Sequence, residues 1–242
     1  MANSSLYNRF ISTSMQKGGG KRVATDNLLD IIADKKQFLV LTFINLIFQL
    51  GITYYLMTKN RVGLDSKENK SAMITFMFIV QLVIIIVLSF VPMPPFLKFG
   101  LFCLFSATFG VSLSVIKTET NVKIIRAAMV STAAVFMTML SFGLVLIMFG
   151  IQLSVGVGFW LLMALLFLII FQITSLFLGS YTMFAKGLAI LSLMIFSGFV
   201  VYDTNRILQR NYYGDFITAS IDYYLDIINI FLDFLSFGGG RS

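Results

Sequence analysis

Long apolar segments alternate with short polar segments along most of this chain. Seven segments each run for about 20 residues with few charges, which is the length that an α-helix needs to cross a bilayer. They occupy residues 38–57, 72–91, 96–116, 127–149, 157–178, 188–208 and 216–237. They lack the short in-out alternation that is typical of membrane-spanning β-strands. The pattern therefore predicts an all-α membrane protein, a seven-helix transmembrane bundle.

The same pattern divides the chain into three regions. Residues 1–37 form a polar N-terminal tail, residues 38–237 a single transmembrane helical domain, and residues 238–242 a C-terminal tail. In the first tail, residues 26–36 place leucines and isoleucines on one side, which is typical of a short helix at the membrane surface. The tail contains no short apolar core before a small-residue site, so we do not expect a cleavable signal peptide.

Composition supports a membrane protein and narrows its chemistry. Hydrophobic residues make up 58% of the chain and charged residues only 12%, about half the charged fraction of a soluble domain. The net charge of +7 comes from loops and helix ends, which favours contact with anionic headgroups over nucleic acid. The chain has no histidine. Any proton sensing must therefore use carboxylates.

Two carboxylates lie inside the sixth and seventh apolar segments, where a charge costs at least about 2.5–3.5 kcal/mol to insert. Asp203 and Asp226 are at similar distances from the polar turn 211–215. If the segments fold back as a helical hairpin, we expect the two carboxylates within direct or one-water hydrogen-bonding reach. Two close carboxylates in a low dielectric cannot both ionise cheaply, so they share a proton. Such a pair is both a proton sensor and a site for a hard cation such as calcium.

Further polar residues continue along the seventh segment. Four of them recur at i, i+4, i+7 and i+11 and so share one helical face: Asp222, Asp226, Asn229 and Asp233. Such a stripe must face protein or a water-filled cavity. Arg206 follows Asp203 by three residues and is placed to form an ion pair with it. We interpret Asp222, Asn229, Asp233 and Arg206 as candidate pore-lining or ion-pathway residues. A structural hydrogen-bond network is the alternative.

Two motifs carry a resemblance to a known family. They read Ser197-Gly-Phe-Val-Val-Tyr-Asp-Thr-Asn-Arg-Ile-Leu208 and Tyr224-Leu-Asp-Ile-Ile-Asn-Ile-Phe-Leu232. The first resembles the sixth-helix signature, and the second the last-helix signature, of the Bax inhibitor-like family (transmembrane Bax inhibitor motif proteins). Together with the apolar pattern, the resemblance covers residues 38–237.

The resemblance implies a bundle with a central last helix and a pH-sensitive calcium leak gated by two carboxylates. By motif position, the gate and the candidate calcium ligands are Asp203 and Asp226. In eukaryotic members it also implies an endomembrane location and protection from cell death. We therefore expect the ER or Golgi membrane for a eukaryotic or viral source and the plasma membrane for a prokaryotic one. The expected partners are the lipid bilayer, calcium ions and other membrane proteins, with no nucleic acid and no cofactor other than calcium.

The chain departs from the family pattern in two places. Some members carry an arginine near the end of the second helix that pairs with the two aspartates. Here residues 88–95 contain no arginine, and Lys98 is the nearest basic residue. In addition, Asp233 stands where members usually have an apolar residue.

Two other functions compete with the ion leak. One is a structural or adaptor membrane protein that conducts nothing. The other is an intramembrane aspartyl protease, whose Tyr-Asp motif Tyr202-Asp203 matches. However, Asp226 lacks the Gly-x-Gly-Asp context of those enzymes, and no Pro-Ala-Leu triplet follows. We therefore expect no enzyme activity and no catalytic residues.

Overall fold

The computed structural model of the chain describes residues 28–59, 67–177, 182–209, 212 and 214–238. Their secondary structure consists of eight α-helices: α1 (Leu28–Asp34), α2 (Lys36–Lys59), α3 (Lys67–Phe90), α4 (Pro95–Glu119), α5 (Val122–Met148), α6 (Val155–Phe177), α7 (Thr182–Gln209) and α8 (Phe216–Gly238). Helices α2 to α8 follow the seven predicted spans in order, which confirms the all-α fold. Helix α1 lies within the predicted surface segment 26–36. The rest of the N-terminal tail and residues 239–242 lie outside the described residues.

Six of the helices, α2 to α7, are long and apolar enough to cross a membrane. Helix α8 has 23 residues, but it carries three aspartates in its otherwise apolar sequence. The chain is therefore a multi-pass membrane protein. Its last helix contains more acidic residues than any other predicted span.

Local sequence sets several helix ends. Pro94 and Pro95 start α4, with Pro95 in the first turn, where its missing N–H has no helical partner to lose. The Asn121 side chain accepts a hydrogen bond from the Lys123 backbone N–H at 2.9 Å and so caps the start of α5. Gly214 adopts a φ of +79° in the turn before α8, a conformation that favours glycine.

Helix α8 occupies the centre of the bundle. It packs against α2, α5 and α7 and makes fewer contacts with α4. Tyr223 and Tyr224 of α8 are fully enclosed, with their rings edge-on to Phe136 and Phe102 at centroid distances of 5.4 and 5.3 Å. The central position that the resemblance implied for the last helix is therefore present.

Two glycines permit close helix–helix approach. A Cβ built on Gly110 of α4 would lie 2.7 Å from the Thr53 carbonyl oxygen of α2. A Cβ built on Gly143 of α5 would lie 2.8 Å from the Thr204 Cβ of α7. Small residues let helix backbones approach closely in membranes, where packing rather than the hydrophobic effect holds helices together.

Candidate ion site in the bundle core

Asp203 and Asp226 lie in the interior of the bundle on helices that pack against each other, α7 and α8. The two residues are only 6% and 4% exposed, respectively. That their carboxyl oxygens lie within direct or one-water hydrogen-bonding reach stays a prediction. Among the residues that the structure describes, Asp226 Oδ2 has no hydrogen-bond partner. A buried carboxylate oxygen without a donor is stabilised by a proton or by a cation.

Arg206 of α7 lies near two carboxylates, one on its own helix and one on α8. Its Nη1 lies 3.9 Å from Asp203 Oδ1 and 3.6 Å from Asp222 Oδ2. Its guanidinium also stacks over the Tyr212 ring at 5.0 Å from the centroid. The Tyr212 hydroxyl donates to Asp222 Oδ2 at 3.0 Å. The sequence placed Arg206 beside Asp203, and the structure shows that Arg206 is divided between two carboxylates.

The other two residues of the polar stripe have separate surroundings. Asn229 is partly buried and donates to the Leu225 carbonyl of its own helix at 2.7 Å. Asp233 is also partly buried, and its Oδ2 has no hydrogen-bond partner among the described residues. It lines a cavity of about 140 Å³ between α7 and α8, roughly 10 Å along α8 from Asp226 at 1.5 Å per residue. The stripe therefore faces α7 at more than one level.

Tyrosines beside the stripe form contacts that the sequence analysis missed. The Tyr223 hydroxyl donates to Thr204 Oγ1 of α7 at 3.0 Å. The Tyr224 hydroxyl lies 2.6 Å from Thr53 Oγ1 of α2. These two bonds fix the rotation of α8 about its axis, which sets the direction of Asp226. The available signal was the Tyr-Tyr pair at 223–224, of which Tyr224 begins the second motif.

Lys98 was also missed as a partner of α8. Its Nζ lies 2.5 Å from Asp215 Oδ2 and also hydrogen-bonds to Thr218 Oγ1. Asp215 caps α8, because its Oδ1 accepts from the Thr218 backbone N–H at 3.0 Å. Burial raises the pKa of Asp215, but the hydrogen bonds from Lys98 and Thr218 outweigh burial and hold this pKa below its ordinary value. Lys98 therefore anchors the start of α8 through Asp215 and Thr218.

A second lysine holds the end of α7. Lys35, between α1 and α2, donates from Nζ to the Ile207 carbonyl oxygen at 2.9 Å. A cation at a helix C-terminus satisfies a free carbonyl and complements the helix dipole. Burial lowers the pKa of Lys35. This contact docks the α1–α2 junction beside the C-terminal end of α7.

Asp203 and Asp226 alone provide too few oxygens to complete a calcium site. Two carboxylates offer four oxygens, whereas Ca²⁺ takes six to eight oxygen ligands. Within the described part of the chain, no three Asp, Glu, Cys or His side chains cluster as a metal site. A calcium ion at Asp203 and Asp226 would therefore need further oxygens, and its binding there stays a prediction.

Parts of this chain are similar to known proteins from a mammal, a plant and a virus. Protein lifeguard 4 of Mus musculus is 34% identical to this chain over 144 residues, 57% of each protein. Protein LIFEGUARD 4 of Arabidopsis thaliana is 38% identical over 81 residues, 33% of this chain and 32% of the plant protein. The Golgi anti-apoptotic protein of Vaccinia virus (strain Lister) is 29% identical over 139 residues, 57% of this chain and 56% of the viral protein. The chain thus matches about half or less of the length of these relatives.

The family model described as "Inhibitor of apoptosis-promoting Bax1" matches residues 35–242. This range contains all seven predicted spans, both motifs and the buried aspartates. The match confirms the resemblance that the two motifs carried. Because it covers most of the sequence, the chain belongs to the Bax inhibitor family.

Proposed function

We propose that this protein is a pH-sensitive, calcium-permeable leak channel, or an ion-homeostasis regulator of the same kind, with Asp203 and Asp226 as its gate. The observation that carries the proposal is the burial of both carboxylates on adjacent helices, with Asp226 Oδ2 unpartnered among the described residues. Burying carboxylates at membrane depth is costly. A site that exchanges a proton for a cation accounts for that cost.

The proposed mechanism follows from the charge of the pair. With one proton shared, the carboxylates can hydrogen-bond, and α7 and α8 are held together. When the proton leaves, two like charges repel each other and attract a divalent cation. Protonation and calcium then compete for the same oxygens, so calcium flux rises with pH.

Arg206 and the polar stripe would shape the path to this gate. The Arg206 side chain is 38% exposed, whereas that of Asp203 is 8% exposed, so the guanidinium lies between the buried gate and the outside. The positive guanidinium would repel an incoming cation, and Asp222 lies 3.6 Å from Nη1 and offsets part of that charge. We propose that Arg206 and Asp222 form one entrance, with Asn229 and Asp233 further along α8.

The relatives suggest the cellular context. The viral relative is named as a Golgi anti-apoptotic protein. We propose a protective role in cell death and an ER or Golgi location for a eukaryotic or viral source, with other membrane proteins as partners. The family is named for inhibition of apoptosis rather than for a reaction, and we propose that the chain is not an enzyme.

Flux through the purified protein tests the proposal. The wild-type protein is reconstituted into liposomes that contain a calcium indicator, and external calcium is added at several pH values. Protein-free liposomes measure the background, and an added ionophore measures the full signal. Flux above background supports a leak. No flux from correctly folded protein at any pH contradicts it and favours the adaptor function.

A further inference from the structure

An apolar groove lies on the side of the bundle between α2 and α5, with α8 as its floor. Its cavity is about 460 Å³, within the 300–1,000 Å³ range of ligand pockets. We propose that this groove binds one acyl chain of an anionic phospholipid, whose headgroup lies at Lys59, Lys123 and Arg126. This site is separate from the proposed ion gate and does not depend on it.

The walls of the groove suit a hydrocarbon chain. Two threonines, Thr53 and Thr132, are among the lining residues, and both hydroxyls are engaged within the protein. Thr132 Oγ1 donates to the Ala128 carbonyl at 2.7 Å. Thr53 Oγ1 lies 3.0 Å from the Ser106 carbonyl oxygen and 2.6 Å from the Tyr224 hydroxyl. The two hydroxyls already have hydrogen-bond partners, so contact with a hydrocarbon chain would leave neither of them unsatisfied.

The position of the groove gives lipid direct access. Helices α2 and α5 are both candidate membrane spans. The rim residues Ile47 and Met137 are 68% and 59% exposed, whereas Leu46 and Phe136 below them are 3% and 7% exposed. In a bilayer, the rim faces the hydrocarbon region. An acyl chain can therefore enter sideways from the membrane without crossing water.

Positive charge at one end of the groove favours an anionic headgroup. Met57 and Met129 line the groove on its two walls. Within one turn of them, Lys59 ends α2 and Arg126 follows the start of α5, and Lys123 lies one turn further. All three basic side chains are exposed. Basic residues near the membrane surface attract anionic lipid headgroups.

Retention of bound lipid tests the site. The protein is equilibrated in micelles with equal amounts of phosphatidylglycerol and phosphatidylcholine that carry the same acyl chains, and is then exchanged into plain detergent. Native mass spectrometry measures the phospholipid that remains on each protein. We expect one retained phospholipid on the wild type, with phosphatidylglycerol at least several-fold more abundant than phosphatidylcholine.

Two adjacent alanines of α5 provide a matched pair of variants. Ala133 lines the groove, and Ala134 is also exposed but lies outside the lining. Ala133→Phe should fill the groove and reduce retention several-fold, whereas Ala134→Phe should retain lipid as the wild type does. Gel filtration and thermal unfolding report whether each variant is folded.

A second variant tests the headgroup without touching the groove. Replacing Lys59, Lys123 and Arg126 together with glutamine should abolish the preference for phosphatidylglycerol, whereas Lys186→Gln on α7 should not. These are exposed side chains, so this variant decides the question even if Ala133→Phe does not fold. The proposal is overturned if the wild type retains no phospholipid, retains both lipids equally, or retains a free fatty acid instead. It is also overturned if a folded Ala133→Phe protein retains as much phospholipid as the wild type.

Discussion

At the scale of single residues, the acidic side chains near α8 differ in whether they have hydrogen-bond donors. Asp222 forms an ion pair with Arg206 and accepts a hydrogen bond from Tyr212, and Asp215 forms an ion pair with Lys98. Asp226 Oδ2 differs because no described residue donates to it. Asp222 and Asp215 thus have donors in place. Asp233 Oδ2, further along α8, also has no partner among the described residues. Asp226 and Asp233 are therefore the two acidic groups of α8 with a buried oxygen available to a proton or a cation.

The Lys98–Asp215 pair predicts a pH-dependent stability. Lys98→Met should lower the free energy of unfolding at neutral pH by about 1 kcal/mol, since Asp215 is 38% exposed and solvent screens the pair. The pKa of Asp215 is lowered in the fold, so the stabilisation is present above its unfolded value of about 3.9 and is lost as pH falls through the folded value. Thermal unfolding in detergent measures the effect.

The exposed residue Lys123 provides the control for this change. Lys123→Met should leave stability unchanged at both pH 7 and pH 3. An equal loss of stability for Lys98→Met at the two pH values would show that the pair contributes through packing rather than charge.

The Tyr223 hydroxyl predicts a second effect on stability. Tyr223→Phe removes the hydrogen bond to Thr204 and should lower the free energy of unfolding by about 1 kcal/mol. Tyr55→Phe, at a tyrosine that is 59% exposed, should change nothing. Chemical unfolding of the two variants in the same detergent gives the comparison, and equal stabilities would rule out a contribution from this bond.

At the scale of helices, close packing positions the central helix indirectly. Gly110 holds α4 against α2, and Thr53 of α2 in turn contacts Tyr224 of α8. A side chain at Gly110 would therefore push apart two helices that support the site, although it would touch neither aspartate.

A pair of glycines on α4 tests this packing. Gly110→Ala should lower the free energy of unfolding by about 1–3 kcal/mol, because the new Cβ meets the backbone of α2. Gly100→Ala meets nothing within 4 Å and should be neutral or stabilising by up to about 1 kcal/mol. Thermal unfolding of both variants provides the measurement. If Gly110→Ala is as stable as Gly100→Ala, the two helices do not depend on this close approach.

The helices themselves were predictable because lipid imposes strict rules on sequence. A spanning helix needs about 20 apolar residues, and the prolines at 92–95 mark where one ends and the next begins. Contacts between distant residues were not predictable from such rules. Lys98 and Asp215 are 117 positions apart, and periodicity carries no information about which helices become neighbours. Arg206 was paired with Asp203 by local spacing, but the folded helices add Asp222.

At the scale of the whole molecule, the bundle is organised around its most acidic span. Helix α8 contacts α2, α5 and α7, so a movement of α8 would be felt by three other helices at once. Helix α6, by contrast, packs mainly on α7 and is largely exposed. In the proposed gate, α7 and α8 are the moving pair, because each carries one of the two buried aspartates.

The pH dependence of calcium flux tests this claim most directly. Flux into liposomes is measured from pH 5 to pH 8 for the wild type, Asp203→Asn, Asp226→Asn and the exposed control Asp34→Asn. Flux through the wild type and Asp34→Asn should rise with pH, and both gate variants should lose the response, because an amide cannot titrate and the titration belongs to the pair. If Asp203→Asn and Asp226→Asn keep the wild-type profile, the two carboxylates are structural and the proposed gate is wrong.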